Sequence, residues 1–570
     1  MNPPSPFHHV LQSNYAPSQE ELKEIEALIS EPEKQVQLLN EKISQLQAER
    51  NRLQKFIDNH RALLSPARRL PRDIIAEVFL HCLPVDQLPT CDASEAPLVL
   101  TTVCRSWREI AITTPRLWRA IHFILPPHYE YTINDKVREL FHLRKEGLQL
   151  WLSRTGSVPL TISCYGLPLE SKPWTIREAL TAMYTEYLEI LSQYSARWKT
   201  LYLSNIPREL LSPFQVLKAN DVPLLSALSL EANGFEFGRH WTPVSGDLEH
   251  PLHNITRTSS LRVLSLLREW ADTFTFPICW SNLTELHLCP GSNNGTVFPD
   301  MNAVEIVQRL GQTCRSLRKC KLDLFISDFR GLSSVHCRHT WPHLSELSIQ
   351  LQIEAYGTGE ETGDVHLIRR IFEPITTPAL SHLSLHVTSR RITLDEMPFL
   401  DFLQVSQCPI VSLALDLSLS GRALIEGLQA IPSLTAFHLK DVFQSTPYVS
   451  EEGEIIRLPP YPVLTSDVLR SLSNRALCPF LEEVILECCP AECMDDVVAF
   501  ALARSSLKLL NVTYQERVEE IMRFMELSEE DKAKGERLRQ TGMDVHWHSI
   551  HEIKPSRVFN PTIPQSIVVY

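Results

Sequence analysis

Residues 221–230 read "DVPLLSALSL", and the end of that stretch decides the fold. Its phrase is apolar-x-x-apolar-x-apolar, placed on Leu225, Leu228 and Leu230. Side chains two apart on a strand point to the same side, so Leu228 and Leu230 mark a short strand with one face buried. The phrase returns as "WKTLYL" at 198, "LRVLSL" at 261, "LTELHL" at 283, "LRKCKL" at 317 and "LSELSI" at 344. It continues as "LSHLSL" at 380, "IVSLAL" at 410, "LTAFHL" at 434, "LEEVIL" at 481 and "LKLLNV" at 507. These eleven copies stand 22 to 47 residues apart. Several follow a Pro, as in "TTPALSHLSL" and "CPFLEEVIL", and helical stretches such as "NAVEIVQRLGQTC", "TSDVLRSLSNRAL" and "MDDVVAFALARS" lie upstream. Helix, Pro-marked turn and short strand, repeated, predict a stacked array over 195–515 whose parallel sheet exposes freely varying side chains on one face. A generic α/β domain with leucine-rich strands is the alternative.

Composition limits what such a chain does. At 570 residues it exceeds what one hydrophobic core supports, and 44% hydrophobic with 22% charged residues is a globular balance. With 55 Lys and Arg against 68 Asp and Glu, the formal charge of −13 repels phosphate backbones and anionic membranes, so neither nucleic acid nor membrane is expected as a partner. The opening "MNPPSPFHHVLQSNYAPSQEE" lacks the basic start and apolar run of a secretory leader. No segment approaches the roughly 20 apolar residues that cross a bilayer. An intracellular location, cytoplasmic or nuclear, is expected. The 14 cysteines, among them Cys104, Cys164 and Cys320, read as small buried hydrophobes in a reducing compartment rather than as disulfides.

Ahead of the array, residues 1–17 read as a disordered tail and 18–64 as a coiled coil. Leu22, Ile25, Ile29, Val36, Leu39, Ile43, Leu46, Leu53 and Ile57 alternate three and four apart once Pro32 and Arg50 take seam positions. Pro32 is expected to break or kink the helix near its start. Self-association through 33–58, pairing with another helix and a long solvated helix all fit this pattern. Residues 126–194 read as a helical linker region, with "NDKVRELFHLRKEGLQLWLSR" and "TIREALTAMYTEYLEILSQYSARW" on either side of a strand at "SVPLTIS". Residues 516–570 read as a C-terminal helix and tail.

Between coil and linker lies "LPRDIIAEVFLHCLP", residues 70–84. Leu70, Ile74, Ile75, Val78, Phe79, Cys82 and Leu83 form one broad helical stripe, with Pro71 suited to the first turn and Asp73 to the positive end of the helix dipole. After the polar insertion "VDQLPTCDASEA" a second helix is predicted over "PLVLTTVCRSWREIAI", with Val99, Val103, Trp107 and Ile110 at helical spacing. "TTPRLW" adds a third element, with Thr114 as cap and Leu117 and Trp118 as apolar payload. Three short helices make little core, so aromatic side chains this large are expected to meet another protein.

The order Leu70-Pro71, Ile74, Ile75, Val78, Phe79, then "VCRSW" over 103–107, then Pro115 and Leu117-Trp118, resembles the F-box motif across 66–125. The array resembles the leucine-rich repeat family, although the family's Asn or Cys eight places after the first Leu is met only at Asn233 and Cys489. The chain thus resembles fungal F-box proteins: an α/β chain with an N-terminal helical coiled coil and a three-helix F-box, followed by an irregular leucine-rich repeat solenoid. The resemblance implies a substrate-recognition subunit of an SCF-type cullin-RING ubiquitin ligase, docked on the Skp adaptor and holding a protein substrate. It implies no catalysis of its own and no cofactor. The adaptor-facing residues would be Leu70, Pro71, Ile74, Ile75, Val78, Phe79, Val103, Trp107, Leu117 and Trp118. The Leu70-Pro71 start and the Ile75 and Phe79 side are assigned to the partner and the Cys82 side to the internal core; Val103 and Trp107 also suit internal packing. The insertion 85–96 departs from the tighter family pattern. A coiled-coil scaffold with an F-box-like cap is the competing reading.

Motifs for chemistry are missing. With 18 Gly the chain has no phosphate-binding glycine loop and no G-x-S-x-G elbow. Cys478, Cys488, Cys489 and Cys493 are expected to pack in the core, and His546 and His548 of "DVHWHSIH" to sit on the solvated face of a terminal strand, with no metal. The acidic run "YGTGEETGD" at 356–364 reads as a solvated loop.

Overall fold

The computed structural model describes residues 5–548 except 65, 127–131, 167–168, 170–171, 232–250, 268–273, 275, 290–302, 327–337, 354–362, 390–393, 442–447, 450–454, 457–462, 519–520 and 525–528. The run 356–364, apart from its last two residues, and Asn233 lie outside the described residues, as does everything after 548. The fold is mixed α/β, with a long N-terminal helix and a large, mostly parallel sheet. The chain forms two compact units, Met1–His81 and Cys82–Tyr570, whose boundary falls inside the F-box-like segment 66–125.

In the first unit, residues expected to be disordered carry hydrogen-bonded turns, with His8 N–H on Ser5 O and Leu11 N–H on Phe7 O. Helix α1 (Gln19–Leu63) begins at a reciprocal cap: Ser18 N–H donates to Glu21 at 2.8 Å and Glu21 N–H to Ser18 Oγ at 3.4 Å. Contrary to expectation, α1 runs unbroken through Pro32. The helix is exposed there, so water satisfies the carbonyl that Pro32 leaves without an N–H partner. Helix α2 (Arg72–His81) follows, with Pro71 O accepting from Ile74 and Ile75.

In the second unit the predicted helix over 97–112 is two helices, α3 (Leu100–Val103) and α4 (Arg105–Ile112). Cys104 breaks them: it is extended, and its Sγ accepts the Trp107 N–H and caps α4. It is therefore exposed, not buried as expected, whereas Cys164 and Cys320 are buried. Thr114 makes no cap and instead donates its hydroxyl to Ile110 O at 2.6 Å. Residues 126–194 are more than a linker. Helices α5 (Asp135–Ser153) and α6 (Trp174–Ser192) flank the strand Leu160–Tyr165, which pairs with Ala120–Ile124 on one side and Trp198–Ser204 on the other.

From there each strand pairs in parallel with the next strand of the same sheet, through Ala227–Glu231, Val263–Leu267, Glu285–Cys289, Lys319–Ile326, Glu346–Ile353 and His382–Ser389. Ser412–Asp416, Ala436–Lys440, Glu483–Pro490 and Leu509–Val518 continue the order. The tail predicted after 515 adds an antiparallel strand, Ile521–Phe524, and a parallel one, Asp544–His548, both on Leu509–Val518. Among the described residues no helix is long and apolar enough to cross a membrane.

The phrase explains the sheet. In all eleven copies the first, fourth and sixth residues are at most 5% exposed, and each such burial is worth about 1.5–3 kcal/mol. The second residue of every copy after the first donates its N–H to the carbonyl of the second residue of the copy before, at 2.7 to 3.0 Å, from Ser226 on Lys199 through to Lys508 on Glu482. Where that residue is Ser or Thr, at Ser226, Thr284, Ser345, Ser381 and Thr435, the hydroxyl donates to the same carbonyl. This hydroxyl ladder ties successive strands together where each begins.

Two buried polar groups close the larger excursions. Asp441 accepts the N–H groups of Val463 and Leu464 at 3.1 and 3.0 Å, pinning the chain back after the long interval between the 434 and 481 copies. Arg504, 1% exposed, spreads its guanidinium over the carbonyls of Leu472, Asn474, Leu477 and Cys478, where the helix Ser466–Ser473 ends. A helix end leaves carbonyls such as that of Leu472 without an intrahelical partner, and Arg504 supplies one.

Candidate functional site

The ten residues assigned to an adaptor separate by burial. On α2 and its approach, Leu70, Ile74 and Val78 are 42%, 50% and 48% exposed, spaced four apart, and form one apolar stripe that faces solvent. Pro71 is also exposed. Ile75 and Phe79 of the same helix are buried, Phe79 completely, whereas Cys82 is exposed. Ile75, Phe79 and Cys82 thus lie opposite to the expected division, because a broad apolar stripe reveals which residues avoid water but not which of them the protein itself covers; the Leu70-Pro71 start is exposed as expected.

In the second unit Val103 is 57% exposed and Trp107 is half-buried. Leu117 and Trp118 are buried. Trp118 is a core residue: its Nε1 donates to Ala111 O at 2.8 Å, its carbonyl accepts from Trp151 Nε1 at 2.9 Å, and the two indoles meet edge to face at 4.9 Å. The Arg154 guanidinium lies 4.4 Å over its ring. Partners on all sides leave Trp118 no free surface for docking.

A second surface emerges from the sheet. Its face opposite the buried leucines carries the seventh residue of each repeat, and in six consecutive copies these are Asp323, Gln350, His386, Asp416, Lys440 and Glu487. Parallel register sets them in one row across six neighbouring strands. Each carboxylate has a basic neighbour. Asp323 Oδ2 lies 3.0 Å from His287 Nε2 and 3.7 Å from Lys321 Nζ. Asp416 contacts His386 Nδ1 and, at 3.1 Å, Lys440 Nζ. Glu487 Oε1 is 3.0 Å from His438 Nε2.

Burial pushes the Asp416 carboxyl up, but the hydrogen bond and charge of His386, with Lys440, more than reverse this and hold it below the ordinary carboxylate value. For Glu487 the His438 hydrogen bond outweighs burial in the same direction. Burial pulls Lys440 down, and Asp416 with Glu487 more than restores it. Asp416, Lys440 and Glu487 therefore keep alternating charges on a half-buried surface, suited to polar contacts with another macromolecule.

His386 also approaches Thr388 Oγ1 through Nε2 at 3.2 Å, so Asp416, His386 and Thr388 stand in the order of a hydrolase triad. Acyl transfer also needs donors aimed at a developing oxyanion. Here Thr388 sits two residues along the same strand, beside exposed Gln350 and Gln352, and the trio ties strands together on an open face.

Cys478, Cys489 and Cys493 are buried, and burial pushes their thiols up, Cys478 to about 11. Cys488 is part-exposed, at a bulge where it takes φ +61° and donates its N–H to Thr513 Oγ1. His546 lies on the exposed side of the last strand, beside Asp544 at 3.2 Å. Among the described residues no His, Cys, Asp and Glu are grouped to hold a metal ion. The sequence reading missed the charged row, although reading the seventh position down successive copies spells it out. The chain matches no protein-family model and no curated protein.

Proposed function

We propose that the chain is the substrate-recognition subunit of an SCF-type cullin-RING ubiquitin ligase. Its F-box-like segment docks on a Skp-type adaptor, and a leucine-rich-repeat-like solenoid holds a protein substrate on its polar face. The chain catalyses nothing itself; proximity to the ubiquitin-transferring subunits is its contribution. The observation that carries the reading is the solvent-facing stripe Leu70, Ile74 and Val78, within a segment whose order of residues resembles the F-box. Side chains of this size stay in water at a cost that a docking partner removes.

Co-purification tests it. Tagged full-length chain expressed with a Skp-type adaptor and a cullin is expected to retain both, and a chain that recovers neither overturns the assignment. The burial of Ile75, Phe79, Leu117 and Trp118 favours a second reading, a scaffold in which the F-box-like helices serve only the chain's own core. That reading predicts no adaptor binding and a self-associated chain.

A further inference from the structure

We propose that α1 joins two copies of this chain in a parallel, in-register, two-stranded coiled coil over residues 36–57. The inference stands apart from the proposed function, since it uses α1 alone. Val36, Leu39, Ile43, Leu46, Leu53 and Ile57 are each 42% to 65% exposed, an apolar seam of about 33 Å at 1.5 Å per residue that is interrupted at Arg50. What covers such a seam is written in its residue types. Counted as heptads, the a positions are Val36, Ile43, Arg50 and Ile57, and the d positions are Leu39, Leu46 and Leu53. β-Branched residues at a with Leu at d is the combination that favours two parallel strands over three or four.

Charge settles orientation and register. In a parallel pair each g residue faces the e residue of the next heptad on the other copy: Gln35 with Asn40, Lys42 with Gln47, Glu49 with Gln54, and Phe56 with Arg61. No like charges meet in these four pairs. The a-position Arg50 faces Arg50 of the other copy and lies beside that copy's preceding g residue, Glu49, so two symmetric Arg50–Glu49 pairs offset the repulsion within the one polar layer. Within a single chain Arg50 reaches sideways, to Asn51 Oδ1 at 3.0 Å. The antiparallel arrangement of the same segment sets Arg50 against Leu39, burying a cation on an apolar residue. A single charged layer at a weakens the pair while fixing its register.

The test uses the full chain. At about 10 µM, sedimentation or light scattering is expected to give twice the 65.2 kDa chain mass, and Ile43→Glu is expected to give one chain mass with an unchanged circular dichroism spectrum. Glu49→Arg places two arginines beside each Arg50 and is expected to weaken the dimer about tenfold. Under mild oxidation Leu39→Cys is expected to give a covalent dimer that the parent chain does not. A monomeric parent, a trimer, a mass unaffected by Ile43→Glu, or a dimer whose Leu39→Cys variant fails to cross-link each overturns the proposal.

Discussion

Replacing Arg504 by Met keeps the aliphatic stem and removes every donor of its guanidinium. The carbonyls of Leu472, Asn474, Leu477 and Cys478 then lose that partner, and only those of Asn474 and Cys478 keep a backbone N–H, from Leu477 and Leu481, among the described residues. Each buried acceptor left unsatisfied costs about 1–3 kcal/mol. Against that stands the relief of no longer burying a cation, itself worth several kcal/mol, and the net expected loss is about 3–5 kcal/mol. Unfolding entropy of roughly 2.1 cal/mol/K per residue, over the roughly 490 residues from Cys82 to Tyr570, converts this to a fall of about 3–5 °C in melting temperature. The local effect is larger, because the lost hydrogen bonds all lie at the end of the helix Ser466–Ser473 and in the turn after it. Amide hydrogen exchange over 466–473 is expected to speed up by about a thousandfold, at 1.36 kcal/mol per decade. Exchange unchanged within about threefold, together with an unshifted melting temperature, would refute the role assigned to Arg504.

Burial pushes the Asp441 carboxyl up to about 6, against the pull of its two amide bonds. A raised carboxyl contributes stability below its unfolded value near 4, and that contribution is lost as pH rises through about 6; the parent should therefore lose roughly 3 kcal/mol relative to Asp441→Asn between pH 4 and 7, and parallel pH profiles of melting would contradict this. Ser345→Ala and Ser381→Ala each remove one rung of the hydroxyl ladder and should cost about 0.5–1.5 kcal/mol in urea titrations, with the sheet intact by circular dichroism. Phe79→Ala and Trp118→Ala should each cost about 3–5 kcal/mol as core truncations, whereas Ile74→Asp and Val78→Asp should leave the melting temperature within about 1 °C.

The repeats were legible because burial imposes a period: eleven phrases predict the order of strands, and the same three positions of each are in the core. The charged row was not, because each of its members is a single variable residue within its own copy and gains meaning only once register aligns Asp416 with His386 and Lys440. Burial within the F-box-like segment was misjudged for a different reason. An apolar stripe on α2 is the same pattern whether Phe79 or Ile74 is the residue that ends up buried. Local chemistry overrode helical periodicity at Cys104, where an extended residue splits one predicted helix into two. Pro32 misled in the opposite sense, since a solvated helix tolerates the hydrogen bond it removes. The strand Leu160–Tyr165 was found, but its place in the sheet depends on partners about 35 to 40 residues away.

Calorimetric titration of the purified full chain with a purified Skp-type adaptor tests the central claim most directly. The account predicts saturable one-to-one binding per chain that disappears in the Ile74→Asp, Val78→Asp double variant while its circular dichroism and melting stay those of the parent. No binding by the parent, or undiminished binding by that double variant, would contradict it.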